Sequence, residues 1–535
     1  MVLYKNLNTK RRLSMDTLLH RFGDKIKGVM KGFDRILFKG RIMPIMYAAG
    51  MTSFLLARRI LNKDFKSYVM AQSQIIVQSA EELEKEQCGQ GIIFLQSCNQ
   101  RKEELAHNRQ KESDVKDGLI GIWSCVESCN TFRSTFNPTS STPLLKSERS
   151  KCKHLYFYFD DSVYGFMSVR LQTWAPYEIQ IALNGREWLR RSLDSAGCGY
   201  FRYGNKFLEI DDYGMAQRFL DEQIRTDFNK VLTGLLPTVF PCMSEVLGDS
   251  LKYHWTYWQS EIAKDYIFED SSTLSALMDD FQLHALITGK GGRILKYFGS
   301  PVEKNGQPHH LTNPVITSRT KNWYDGLRVR HWNDTNSVKF YNEHNVLRFE
   351  MTMNNPSKFK IHRHSENQDK SEPKRFLPMR KGIADTAARA AISTDIINRF
   401  TEHMATVKET TRLGALIDSV GTPLVRNEKR VRALDVFGKD MVLLRAISDP
   451  TFDVHAITNK KLQASLKGTP WAKKMSDNQL SARITRHLRL LREHGLIKKL
   501  PKQRKYVLTD KGRKITTALD VALSASVEEL LDLAA

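Results

Sequence analysis

Cysteine is scarce. There are seven in 535 residues, an odd number and too few to staple a chain of this size. Cys125 and Cys129 form the one close pair, and no second pair or adjacent histidine completes a zinc-ligand spacing. Acids are outnumbered, 59 Asp and Glu against 82 Lys and Arg, for a formal charge of +23 and a pI near 9.6. No apolar run reaches the roughly eighteen residues a membrane helix needs. The basic N-terminal stretch has neither the apolar core nor the small-residue cleavage site of a secretory signal. A cytoplasmic protein without a membrane partner is therefore expected. Gly-x-Ser-x-Gly and His-Glu-x-x-His are both missing, which argues against serine-hydrolase and zincin chemistry. Gly289-Lys-Gly-Gly-Arg293 lacks the frame of a nucleotide-binding P-loop. No internal repeat occurs.

What is present is folded, basic matter. Hydrophobic residues make up 41% of the chain and there are 8 Trp, enough for several cores. The charge points to a polyanion, and nucleic acid is the expected partner. The C-terminal end carries the strongest pattern. Leu480, Ile484, Leu488 and Leu491 fall on one helix face, while Arg483, Arg486, Arg489 and Arg492 turn around the other side. Gly495 ends that helix. Two short β-prone runs follow, Leu496–Leu500 and Lys505–Leu508, and upstream Ile457–Leu462 reads as a capped helix start. Helix, turn, arginine-rich helix and basic hairpin follow the order of a winged helix-turn-helix. In that arrangement Arg483, Arg486 and Arg489 face a groove, and Lys502, Arg504 and Lys505 touch phosphates. Between Ser476 and Lys514 twelve Lys and Arg stand against three acids, Asp477, Glu493 and Asp510. A solvated basic face docking on protein is the competing reading.

Along the rest of the chain the pattern reads as a multidomain α/β protein with a mixed sheet. An α/β domain is expected over 1–150, with a strand from Asp34 to Arg41 and helices over 43–61, 68–86 and 100–112. A central α+β domain is expected over 151–355, a basic linker with helices over 356–430 and the winged helix over 431–535. The Ser/Thr/Pro-rich stretch 130–150 reads as a loop, 213–235 as one helix and 236–299 as mostly helical. A hairpin is expected from Ser337 to Met353.

The run Gly165-Phe-Met-Ser-Val-Arg-Leu-Gln-Thr-Trp-Ala-Pro176, followed by Asn184-Gly-Arg-Glu-Trp188, resembles the core of an uncharacterised family of bacterial proteins with a basic C-terminal helix-turn-helix. The resemblance covers most of the chain and implies architecture, not activity. Three strands, a helix opened by Glu187, and a strand ending at Asp211-Asp212 resemble the element order of RNase H-like nucleases and transposases. That resemblance implies Asp161, Glu187 and Asp212 as ligands of Mg²⁺ or Mn²⁺ and as the catalytic carboxylates of phosphodiester cleavage. The same residues also read as ordinary caps, Glu187 favoured by the helix dipole and Asp212 by the N-cap preference.

Arg170, Gln172 and Trp174 alternate onto one strand face, where a cation, an amide and an indole suit a nucleobase. Alternatively Trp174 covers a core edge and Arg170 pairs with Glu178. Arg328, Arg330, Lys339 and Arg348 read as a basic sheet face for a nucleic-acid backbone. The hairpin around Tyr341 resembles that of rolling-circle replication initiators, but no His-hydrophobic-His strand precedes it. The expected function is nucleic-acid binding in a mobile element or a DNA- or RNA-processing complex. The enzyme alternative is a metal-dependent nuclease or transposase.

Overall fold

The computed structural model describes residues 16–524, apart from 114, 138, 140, 301–314, 366–370, 408–412, 427, 450, 451, 453–455, 474 and 502. Lys502 therefore lies outside the described residues. The protein is a mixed α/β structure built on an 11-stranded, mostly antiparallel sheet with many helices. In chain order the strands are β1 (Ile26–Arg41), β2 (Ile93–Leu95), β3 (Gly118–Phe136), β4 (Pro143–Asp161), β5 (Gly165–Gln172), β6 (Ile179–Asn184), β7 (Tyr200–Tyr203), β8 (Lys206–Ile210), β9 (His254–Phe268), β10 (Ile316–Trp323), β11 (Gly326–Asn333), β12 (Asn336–Glu343) and β13 (Val346–Met353). The sheet order is β10-β11-β12-β13-β9-β1-β6-β5-β4-β3-β2, and β7 pairs with β8 apart from it. Only the short β2 is seen to pair in parallel, with β3, among the registers described. No helix among the described residues is long and apolar enough to cross a membrane.

The chain divides into two compact units. One comprises residues 28–267 and 343–394. The other comprises 1–27, 268–342 and 395–535. In the former, β3 and β4, each 19 residues long, form one hairpin. The loop expected over 130–150 is thus mostly strand, with β3 running through Phe136 and β4 starting at Pro143. Cys129, Thr131 and Phe132 are buried, and the Thr131 hydroxyl donates to the Ala175 carbonyl, 2.8 Å away. The Ser and Thr residues there follow a pleat, and Pro and Ser mark only its tip. The single helix expected over 213–235 is two, Tyr213–Gln223 and Phe228–Gly234, because Asp227 caps the second through the Asn229 and Lys230 amides. The stretch 236–299 is helical over more than half of its length, as expected, but it is not helical throughout. It contains β9, where Trp255 and Tyr257 alternate inward. Aromatic residues fit a half-buried pleated surface as well as a helix, and the sheet neighbours decide between them.

In the other unit, the helices Met441–Ile447, Asn459–Leu466, Asp477–Glu493 and Asp510–Ser524 close over one core with Trp471 and Ile497. Leu480, Ile484, Leu488 and Leu491 are buried there, as their spacing predicts. Ser476 and Gln479 make a reciprocal capping box at the start of Asp477–Glu493, and Gly495 leaves that helix at φ +74. Strands Ile497–Lys499 and Tyr506–Leu508 pair antiparallel, and Ile457 bridges to Tyr506 as a third short strand. Asn459 ties two helices together by donating to the Ser481 carbonyl and the Thr485 hydroxyl, each at 2.8 Å.

Candidate functional site

Acids are rarely tolerated inside apolar strands unless they are paired. Three adjacent strands carry such acids here. In β9 and β13, Asp265 lies opposite Arg348, Ala263 opposite Glu350 and Glu261 opposite Thr352. Opposed residues and their alternates share one face, so these side chains gather there. β1 adds Asp34. The helix Gly185–Ser195 adds Arg186 at its first turn. Gly185 allows this approach, since a Cβ there would stand 2.3 Å from the Phe33 carbonyl oxygen.

The result is a buried charge cluster. Arg348 grips Asp265 with two bonds, Nε at 2.6 Å and Nη2 at 2.9 Å. Arg186 Nη2 stands 3.0 Å from the same carboxylate. Arg348 Nη1 lies 3.4 Å from Asp34 and 3.7 Å from Glu350. Asn205 donates to Asp34 at 2.9 Å, and its carbonyl accepts from Arg348. Burial works against the charge on Arg186 and lowers its pKa, with Asp265 opposing that loss. Carboxylate oxygens of Asp34, Glu261 and Glu350 lie within 4.8 Å of one another, close enough to hold one metal ion.

The carboxylates expected from the RNase H-like resemblance are placed differently. Asp161 Oδ1 accepts the Val163 and Tyr164 amides in the turn after β4. Glu187 pairs with Arg190 at 2.9 Å and with Arg202 at 2.5 Å. Asp212 caps its helix through the Met215 amide. These three are not brought together as a metal-holding group, and each does local work.

The base-binding face expected at Arg170, Gln172 and Trp174 is likewise engaged. Arg170 Nη2 bonds Glu127 at 2.8 Å, not Glu178, which takes Lys39 and Arg41. Gln172 is buried, with its amide donating to the Asn130 and Trp174 carbonyls. Trp174 is half-buried. Burial alone would raise the Glu127 pKa. Hydrogen bonds from Tyr156 and Cys125 and the charges of Arg170 and Lys102 outweigh it, holding the carboxyl at about 2. Arg348 also leaves the expected basic face, since it is buried on Asp265.

Next to Glu127, His154 is buried with Nδ1 3.2 Å from the Cys152 carbonyl, and burial, then Arg170, pushes it down to about 4. Burial does the same to His331. Both are neutral in the native protein, while the unfolded chain takes up protons near the ordinary value of 6.5. Their contribution is therefore present above pH 6.5 and is lost as pH falls to about 4, at up to about 1.4 kcal/mol per pH unit each. Melting temperatures measured across that window should fall, and less steeply for His154→Phe.

On the helix Asp477–Glu493 the arginines divide. Arg483 donates to the Trp471 carbonyl at 2.9 Å and lies over its ring at 4.1 Å. His487 meets that indole edge-to-face, with Nδ1 2.8 Å from the Arg483 carbonyl and Nε2 3.6 Å from Asp440. Arg486 and Arg489 are exposed and form no ion pair among the described residues, as are Arg504 and Lys505 in the hairpin. No family model, curated protein or solved structure matches this chain.

Proposed function

We propose that this protein binds nucleic acid, with residues 441–508 acting as a winged helix-turn-helix. The observation that carries the reading is the face of Asp477–Glu493 bearing Arg486 and Arg489. It is cationic, solvent-facing and opposite the buried leucines, beside a hairpin that exposes Arg504 and Lys505. In this reading the helix enters a major groove, Arg486 and Arg489 meet base edges, and the hairpin meets phosphates. Anisotropy titration of a labelled DNA duplex over a salt series tests it. A log–log slope of about −0.9 per phosphate contact is expected, and no binding at low salt would end the reading. A setting in a mobile element or a DNA- or RNA-processing complex follows by analogy alone.

The carboxylate grouping favours a second reading, divalent-metal-dependent phosphodiester chemistry by Asp34, Glu261 and Glu350 in place of Asp161, Glu187 and Asp212. An all-oxygen donor set suits a hard ion such as Mg²⁺ or Mn²⁺ rather than zinc. When bound, such an ion stabilises charge on phosphoryl oxygens. The protein's own part is to hold the three carboxylates in one place, with Arg348 fixing Asp34 and Glu350. Supercoiled plasmid should be nicked by the wild type only with Mg²⁺ or Mn²⁺, and Glu350→Gln should abolish this. Absence of wild-type nicking of DNA and RNA retires the second reading.

A further inference from the structure

The hairpin of β10 and β11 and the strand β12 carry a pattern that folding alone does not explain. Antiparallel register sets Arg319 opposite Arg330, and Arg330 opposite Lys339, so three cations stand side by side across three strands. The next row sets Lys321 opposite Arg328. Like charges directly opposite are destabilising. Nothing acidic pairs with Arg319, Lys321 or Arg328 among the described residues, and Arg319 and Lys321 are exposed on β10 at the edge of the sheet.

Aromatic rings stand between the cations. Arg328 lies 4.2 Å from the Trp323 ring centre, Arg330 4.7 Å and Arg319 5.8 Å from that of Trp332. Trp332 is opposite Thr317, and Trp323 opposite Gly326, on the same face as the arginines. The opposite face is closed on β11 and β12, where Val329, His331, Val338 and Phe340 are buried. His331 accepts or donates to Ser318 at 2.8 Å and packs on Phe400, as does Phe340. On β11 the sheet therefore buries Val329 and His331 on one side and leaves Arg328, Arg330 and Trp332 half-buried on the other, cations alternating with indoles, while the edge strand β10 is exposed.

We infer that this face of β10, β11 and β12 binds single-stranded nucleic acid, with Arg319, Lys321 and Arg328 on phosphates and Trp323 and Trp332 stacking on unpaired bases. The inference rests on the nucleic-acid reading above but assigns a second ligand class to a second place. A duplex keeps its bases stacked on one another and gains only the charge, whereas a single strand gains the rings as well. The plain alternative is that basic residues on an edge strand only keep it from pairing with other chains.

The test uses the full chain with labelled oligo-dT, oligo-rU and a DNA duplex. Arg319→Glu with Lys321→Glu changes two exposed side chains. It should weaken single-strand binding at least about tenfold and lower the salt slope by about 1.4, two contacts at about 0.7 each. Duplex binding should change less than about threefold, because it resides in Arg486 and Arg489. Intrinsic tryptophan emission should be quenched by oligo-dT in the wild type, and less in Trp323→Phe and Trp332→Phe. Unchanged single-strand affinity in the folded double variant, aggregating or not, overturns the inference. Wild type that binds duplex but neither oligonucleotide overturns it alone. Wild type that binds none of the three overturns this inference and the proposed function together.

Discussion

Charge reversal at Arg486 and Arg489 together should weaken duplex binding by about a hundredfold or more, since each groove contact of this type contributes about 1–3 kcal/mol. Both side chains project from the polar side of Asp477–Glu493, away from Leu480, Ile484, Leu488 and Leu491. The core is untouched, so the melting temperature should hold. Arg483→Ala should behave in the opposite way. Its guanidinium is held by the Trp471 carbonyl and ring, so stability should drop while site preference persists. Binding-site selection beside thermal melting separates the two outcomes. Identical duplex affinity for wild type and Arg486→Glu/Arg489→Glu would remove this helix from the interface.

The second large effect concerns stability. Asp265→Asn should destabilise the protein by about 3–5 kcal/mol, the usual result of removing one partner from a buried ion pair. Asp265 is fully buried and receives Arg186 at 3.0 Å and Arg348 at 2.6 Å. The variant would leave two buried guanidiniums leaning on Asp34 and Glu350 alone among the acids seen to contact them. Lys467→Ala breaks a solvent-exposed pair with Asp477 and should cost at most about 1 kcal/mol. Urea unfolding of the two variants compares them directly. Equal midpoints would mean that the cluster does not hold β9, β13 and the Gly185–Ser195 helix together. Because the same network holds Asp34 and Glu350, the Asp265 variant should also lose any metal-dependent nicking.

The C-terminal elements were legible because their signals are local. A leucine every three or four residues, a Ser–Gln cap, and glycine after the last turn are read within one helix. The strands around Phe157, Val169 and Ile181 were legible for the same reason, alternation over a few residues. The carboxylate site was not. Asp34, Glu261 and Glu350 are far apart in sequence and meet because β1, β9 and β13 are neighbours in a sheet whose order departs from chain order. A faint signal existed: each acid interrupts an apolar strand, in Phe-Asp-Arg-Ile-Leu-Phe, Ser-Glu-Ile-Ala and Arg-Phe-Glu-Met. An acid there needs a partner, and sequence does not say which one.

The same limit applies to the arginines. Sequence alone determined that this protein is strongly basic, folded, poor in cysteine and equipped with an amphipathic arginine-rich helix near its C-terminus. Only the tertiary structure decided which cations are available. Arg348 and Arg328 are both arginines within strands of one sheet, yet Arg348 is consumed by Asp265 while Arg328 lies over the Trp323 ring with no acid paired to it among the described residues. Arg483 and Arg486 are three residues apart on one helix, and one is folded onto an indole while the other faces water. The reason is physical. Charge is a property of the residue, but its availability depends on the opposite charges and rings that packing brings within a few ångströms, and packing is set by contacts between distant segments.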